Sequence, residues 1–284
     1  MRLTLDQFRQ WRHRNITLLG MSGVGKTHLA SMLREHEWFH YSVDYRIGTR
    51  YLDEEIMDLI KWQAMQVPFL RDLLRKDWIY IRNNIKVNDL GPVLSFVGKL
   101  GNPELGGVPL EEFQRRQALY RAAEIRAIHD IRLFIDKAQD IYGYSHLVND
   151  VAGSLCDLED DGAIGELIRH TLILYIEVTE PEEEQELIRR AQSSPKPLYF
   201  RPDFLQLAVR DYLAEHNMEY AAEMDPEDFT RWVFPRLFAA RVPRYRAIAD
   251  PHGYTVTSRE VSRVRDEADF IEMVERAIDR QQGG

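Results

Sequence analysis

The run Gly20-Met21-Ser22-Gly23-Val24-Gly25-Lys26-Thr27 sets three glycines, a lysine and a threonine at the offsets of a phosphate-cradling loop. Glycines at those positions let the backbone wrap a phosphate chain, and successive N–H groups together with the positive end of a following helix attract it. Lys26 is expected to reach the β- and γ-phosphates, and the Thr27 hydroxyl to ligate Mg²⁺. Gly20, Ser22, Gly23, Val24, Gly25, Lys26, Thr27 and His28 form the expected nucleotide-contacting set, with ATP and Mg²⁺ as the implied cofactors. A tight turn whose glycines serve geometry alone is the competing reading, and it leaves the lysine and threonine unexplained. The pattern is a complete Walker A motif. It specifies a nucleotide and leaves the reaction open, because motors, switches, ATPases and small-molecule kinases share it.

The motif works only between a strand and a helix, and the flanking sequence supplies both. An apolar run at 16–19 predicts the strand, and the helical spacing of Leu29, Met32 and Leu33 predicts the helix. A second strand is expected at 38–43, ending at Asp44. From 46 to 144 the pattern is mostly helical, interrupted around Gly91-Pro92 and by the loop at 101–109. The apolar positions Phe113, Tyr120, Ala123, Ile128, Ile131, Ile135 and Ala138 repeat every three or four residues until Gly143, a run long enough to require a bend. Strand character returns at 145–151 and 172–178. A helix beginning near Pro181 carries Glu182 to Glu184 in its first turn, where the helix dipole favours negative charge. Further helices to Pro243, a strand at 254–257 and a helix at 266–281 complete the chain. Strands alternating with helices predict an α/β fold of the P-loop NTPase kind, with a central parallel sheet, a large helical insert and a lid. The expected division is a core of 1–50 and 145–284, with a lid at about 189–204 and an insert at 51–144.

Composition excludes several functions. The 284 residues carry 46 acidic and 37 basic side chains, a formal net charge of −9, which argues against nucleic acid as a partner. No run approaches the length of a membrane span, and the polar N-terminus lacks the apolar stretch of a secretory signal, so a cytoplasmic protein with no membrane partner is expected. The single cysteine, Cys156, rules out an internal disulfide, fits a reducing compartment and reads as a small apolar filler. Nine histidines lie without metal spacing, and no protein-ligated zinc is expected. Oligomeric state and the preference for ATP over GTP are not encoded in any motif.

Further segments resemble the shikimate kinase group of the nucleoside monophosphate kinase-like proteins. Arg241-Val242-Pro243-Arg244-Tyr245-Arg246-Ala247-Ile248-Ala249-Asp250 is similar to that family's R-x-P-x-Y-x-x-I-A-D segment, whose arginine binds the substrate carboxylate. The resemblance implies that Arg241 clamps an anionic acceptor, a task suited to a guanidinium because it can form two parallel bonds to a carboxylate. Asp44-Tyr45-Arg46-Ile47 resembles the family's D-x-x-I, which implies that Asp44 orients the acceptor hydroxyl. A helix N-cap is the alternative role for that aspartate. The family's second aspartate, two residues earlier, is replaced here by Ser42.

His146 to Leu155 sits where those kinases have an apolar strand and a glycine-rich substrate loop. By that resemblance Asp150 completes the Mg²⁺ shell, and Gly153 with Ser154 presents backbone N–H groups to substrate. The cationic stretch from Arg189 to Arg201 resembles the family's lid, although the usual lid arginine falls on Gln192. Arg190 is the nearest candidate to replace it, alongside Arg189, Lys196 and Arg201. Phe113 to Gln117 partly resembles the family's F-R-x-x-E without matching it; Arg116, or its neighbour Arg115, joins Asp44, Gly153 and Arg241 as an expected acceptor contact, with polar positions on an amphipathic helix as the alternative.

These readings predict an ATP-dependent kinase that moves the γ-phosphoryl group to a hydroxyl of a small anionic metabolite, with Lys26, Asp44 and Arg190 catalytic and Thr27 and Asp150 on the metal. A P-loop ATPase or nucleotide-dependent switch, whose insert binds a protein, is the alternative. Lys26, the 189–201 stretch and Arg241 to Arg246 are expected to converge as a local positive funnel in an acidic protein. The aromatic and basic run Trp78 to Arg82 suits stacking on a base or ring, and ordinary helix packing explains it as well.

Overall fold

The structure, a computed structural model, describes residues 1–282. The chain forms two compact units, one of residues 1–43, 125–195 and 230–284 and another of 44–124 and 196–229. The expected insert bounds of 51–144 are thus not the bounds of the second unit, which starts at Asp44 and also takes in 196–229.

The first unit is built on five parallel strands, β1 (Asn15–Leu19), β2 (Trp38–Ser42), β3 (His146–Asp150), β4 (Leu172–Glu177) and β5 (Gly253–Thr257), in the spatial order β2-β3-β1-β4-β5. All five expected strands are present. β1 is buried along its whole length, as a central strand covered on both faces must be. Alternation in β2 shows the two covers. Trp38 meets Phe270 of the helix Glu267–Gln282 edge to face, whereas Phe39 and Tyr41 turn the other way onto Phe134 of the helix Ile131–Asp140. The bend required in the long helical run falls at Asp130, between the helices Leu110–His129 and Ile131–Asp140.

One element differs markedly from the sequence expectation. Helices were expected to stop at Pro243, but a single helix, Pro226–His252, runs through Pro235, Pro243 and Pro251. Within the first unit its residues Val233, Phe234, Leu237, Phe238, Tyr245, Ile248 and Ala249 are buried at helical spacing. Packing of that stripe outweighs the cost, about 3 kcal/mol, that each interior proline imposes on an isolated helix.

The second unit is helical and has its own aromatic core. Phe113 lies against Phe200, Tyr120 against Tyr199, and Phe229 against both Phe200 and Tyr212. The expected interruption is present as a non-helical stretch over 76–90, and Gly91-Pro92 at its end opens the helix Gly91–Val97, where proline suits the first turn.

Candidate phosphate-binding site

The phosphate loop joins β1 to the helix Lys26–Arg34 at the centre of the sheet. Two glycines are required by geometry. Gly20 has φ +147°, and a Cβ there would stand 2.8 Å from the carbonyl oxygen of Ile176. Gly25, the N-cap of the helix, has φ +105°, and its Cβ would lie 3.0 Å from Val261. Both conformations are open to glycine and strained for other residues. Met21 and Val24 are buried and fix the loop to the core, while Ser22, Gly23, Thr27 and His28 remain exposed. The first turn of the helix contributes N–H groups without intrahelical acceptors, on the positive end of its dipole.

Lys26 is buried against the loop it follows, and its Nζ donates to the carbonyl oxygens of Gly20 at 2.7 Å and Met21 at 3.0 Å. The ammonium is thereby held by neutral acceptors, and charged phosphate oxygens are stronger ones. Thr27 Oγ1 donates to Asp150 Oδ2 at 2.7 Å. Asp150 ends β3, in register with Leu18 of β1 and Ser42 of β2, so the sheet delivers its carboxylate to the strand ends where the loop begins. A hydroxyl and a carboxylate brought together beside a phosphate cradle are hard oxygen donors of the type Mg²⁺ takes. Thr27 and Asp150 therefore fit the implied metal, and the loop with Lys26 fits a nucleotide's phosphates.

Sequence reasoning missed His40. Its side chain is buried on β2, with Nε2 3.9 Å from Asp150 Oδ2. Burial lowers its pKa; Asp150 pulls the other way, and Arg34 adds to the lowering. The strand's period of two was the available signal, since Trp38, His40 and Ser42 share one face and Ser42 is the partner of Asp150.

Gly153 follows β3 and closes on the phosphate loop. A Cβ there would lie 3.3 Å from the backbone nitrogen of Ser22 and 3.8 Å from Arg241 Nη1. The Tyr245 hydroxyl donates to the Gly153 carbonyl oxygen, so the helix carrying the R-x-P-x-Y segment holds this loop in place.

The arginines behave differently from the loop. Arg241, expected to clamp an acceptor carboxylate, donates from Nε to Asp157 Oδ2 at 2.6 Å, and both side chains are only 4% exposed. Asp157, also missed in the sequence, takes the place of an external anion. Arg244 pairs with Glu159 at 2.7 Å, Arg246 with Glu177 at 2.6 Å, and Arg189 and Arg190 with Glu186 at 2.6 and 3.4 Å. The expected positive funnel is therefore corrected within the first unit: each of these arginines has a carboxylate partner, several of them distant in sequence. The 189–201 stretch is not one loop either. The helix Pro181–Ser193 includes Arg189 and Arg190, and Gln192 exchanges hydrogen bonds with Arg231, donating to its carbonyl oxygen at 3.3 Å and accepting from its Nε at 3.0 Å through its own.

In the second unit, Tyr120 donates its hydroxyl to Asp44 Oδ1 at 2.9 Å. Arg116 donates to Glu112 at 2.7 Å and to the Phe96 carbonyl oxygen at 2.9 Å, an internal brace. Gln117 donates to the Leu198 carbonyl oxygen and accepts from the Phe200 N–H, which sets 198–200 into that unit's core.

A glycine-rich loop on the central strand of an all-parallel sheet, with its lysine folded on the loop and its threonine bonded to the aspartate of the adjacent strand, defines a P-loop nucleotide-binding α/β fold. Among solved structures, shikimate kinase from Bacteroides thetaiotaomicron aligns at 15% identity and a TM-score of 0.41, over 95% of this chain and 97% of that one. Shikimate kinase from Acinetobacter baumannii, solved in complex with shikimate, aligns at 12% identity and a TM-score of 0.40, over 97% of each chain. No protein-family model and no curated protein matches the sequence. Among the described residues no helix is long and apolar enough to cross a membrane.

Proposed function

We propose that the chain is an ATP- and Mg²⁺-dependent phosphotransferase acting on a hydroxyl of a small anionic metabolite. The observation that carries this reading is the hydrogen bond from Thr27 to Asp150 beside a loop that already holds Lys26. Mg²⁺, when bound, supplies charge neutralisation at the phosphates. Thr27 and Asp150 would hold it, Lys26 would balance charge on the transferred group, and the loop's backbone would fix the phosphate chain. Asp44, oriented by Tyr120, is the residue suited to accept or direct the acceptor hydroxyl's proton. Such chemistry rests on positioning and charge neutralisation more than on covalent steps.

A second reading is favoured by a specific observation. Arg241 is already paired with Asp157, and Gln192 stands at the lid arginine's register. An ATPase or switch needs neither cation. ADP release measured across a panel of hydroxylated carboxylates and phosphates separates the two. Acceptor-stimulated release supports the kinase; release that no acceptor changes, still dependent on Lys26 and Mg²⁺, supports the ATPase. Absence of release with nucleotide bound would overturn both.

A further inference from the structure

The second unit concentrates exposed apolar surface and positive charge in one short segment. Residues 61–86 hold Lys61, Arg71, Arg75, Lys76, Arg82 and Lys86 against Asp72 and Asp77, a local charge of +4 in a chain of net charge −9. The same segment exposes Trp62, Val67, Phe69, Trp78 and Tyr80, with Phe69 at 72% and Tyr80 at 87% exposure. Single exposed apolar residues are ordinary, but five within 19 residues, two of them tryptophans, are not.

The local structure accounts for the exposure. Pro68 starts the helix Pro68–Arg75, none of whose residues is buried. Phe69, Leu70, Leu73 and Leu74 give this helix an apolar side, and Arg71 and Arg75 a cationic one. Leu70, Leu73 and Leu74 are only partly covered and Phe69 stands exposed, so the apolar side of this amphipathic helix has not completed its burial. Among the described residues Arg75, Arg82 and Lys86 have no acidic partner, and Lys76 sits over the Trp78 ring at 4.8 Å. Beside the segment lies a cleft of about 770 Å³ within the second unit, lined by Lys61, Arg82 and Asn84, by Asp53 bonded to Asn83, and by Met57, Ile81 and Ile85. Two cations against one carboxylate leave the cleft a net positive charge beside apolar side chains.

We infer that residues 61–86 dock the protein on an anionic lipid surface, with the aromatic side chains at the interface and the basic residues against the headgroup phosphates. Tryptophan and tyrosine partition to that interface, and cations add attraction to anionic headgroups. Single-stranded nucleic acid would use the aromatic rings and the charge, but it gives no role to exposed Val67 or to the partly exposed Leu70, Leu73 and Leu74, which hydrocarbon does. The lack of an apolar span set the expectation of no membrane partner, but docking on a surface needs no span, and a chain of net charge −9 carries +4 in this segment.

The test uses the full chain with vesicles of phosphatidylcholine alone and of phosphatidylcholine mixed with phosphatidylglycerol. Sedimentation with the anionic vesicles, a blue shift of tryptophan emission and little retention on neutral vesicles are expected. The exposed double variants Arg75→Glu/Lys76→Glu and Phe69→Ser/Trp78→Ser should each lower vesicle affinity by at least about tenfold, with an unchanged melting midpoint. The inference is overturned if anionic vesicles fail to retain the protein, if neutral vesicles retain it equally, or if neither variant weakens retention. Stronger capture of single-stranded RNA through the same residues, or a dimer in sedimentation velocity that the same variants disperse, would also overturn it.

Discussion

The phosphate loop and the Arg241 segment were both recognised as anion sites, and the fold treats them in opposite ways. At the loop, the groups that would meet a phosphate are backbone N–H groups and a lysine resting on neutral carbonyls. At Arg241, the charge is already consumed by a buried carboxylate from another part of the chain. A site made by backbone geometry is determined within eight residues. A site made by one side chain's charge depends on whichever partner the fold places beside it, and that partner need not be near in sequence.

The largest effect should come from breaking the closed pair. Asp157→Ala leaves Arg241 buried without its carboxylate and is expected to destabilise the protein by about 3–5 kcal/mol, read as a fall in the denaturant midpoint. Replacing both partners by apolar residues, Asp157→Leu with Arg241→Met, should recover most of that loss. If Asp157→Ala instead left stability intact and created binding of small carboxylates, Arg241 would be a ligand site held in reserve, and the contrast with the loop would fail.

Next in size is the open site. Lys26→Ala should reduce turnover by about a hundredfold, because it removes a preorganised cation, with a smaller fall in the melting midpoint than Asp157→Ala, since two hydrogen bonds to the loop carbonyls are lost with it. Tyr120→Phe sharpens the contrast on the acceptor side. Losing one hydrogen bond to Asp44 should cost about 1 kcal/mol, roughly a fivefold fall in kcat/KM for the acceptor with ATP affinity unchanged.

The smallest effect concerns the far end of β3. His146 accepts the Arg14 N–H at Nδ1, 3.1 Å away, and burial, with Arg14, lowers its pKa from 6.5. The unfolded chain takes up the proton first, so this contribution is present above pH 6.5 and is lost as pH falls through the lower folded value. Thermal melts across that range should show the loss, and His146→Gln should flatten it. An unaltered slope would remove His146 from the account.

The same distinction explains what was legible in the sequence. The five strands and the phosphate loop follow from apolar runs and glycine spacing, which are local. The pairing of Arg241 with Asp157 joins residues 84 positions apart and had no local signature. One signal was nevertheless present. Arg241 lies three residues after Phe238 and four before Tyr245, on the helical stripe that the structure buries, so continuing the helix past Pro243 would have turned it inward. The proline stopped that reading, although packing had the larger energy. His40 was hidden for a related reason: a histidine in an apolar strand reads as filler until the neighbouring strand brings Asp150 to it.

Calorimetric titration of Mg²⁺·ATP into the parent, Lys26→Ala and the Asp157→Leu/Arg241→Met double variant tests the contrast most directly. The account predicts that the double variant binds like the parent and that Lys26→Ala loses most of the affinity. Retained binding in Lys26→Ala together with loss in the double variant would contradict it.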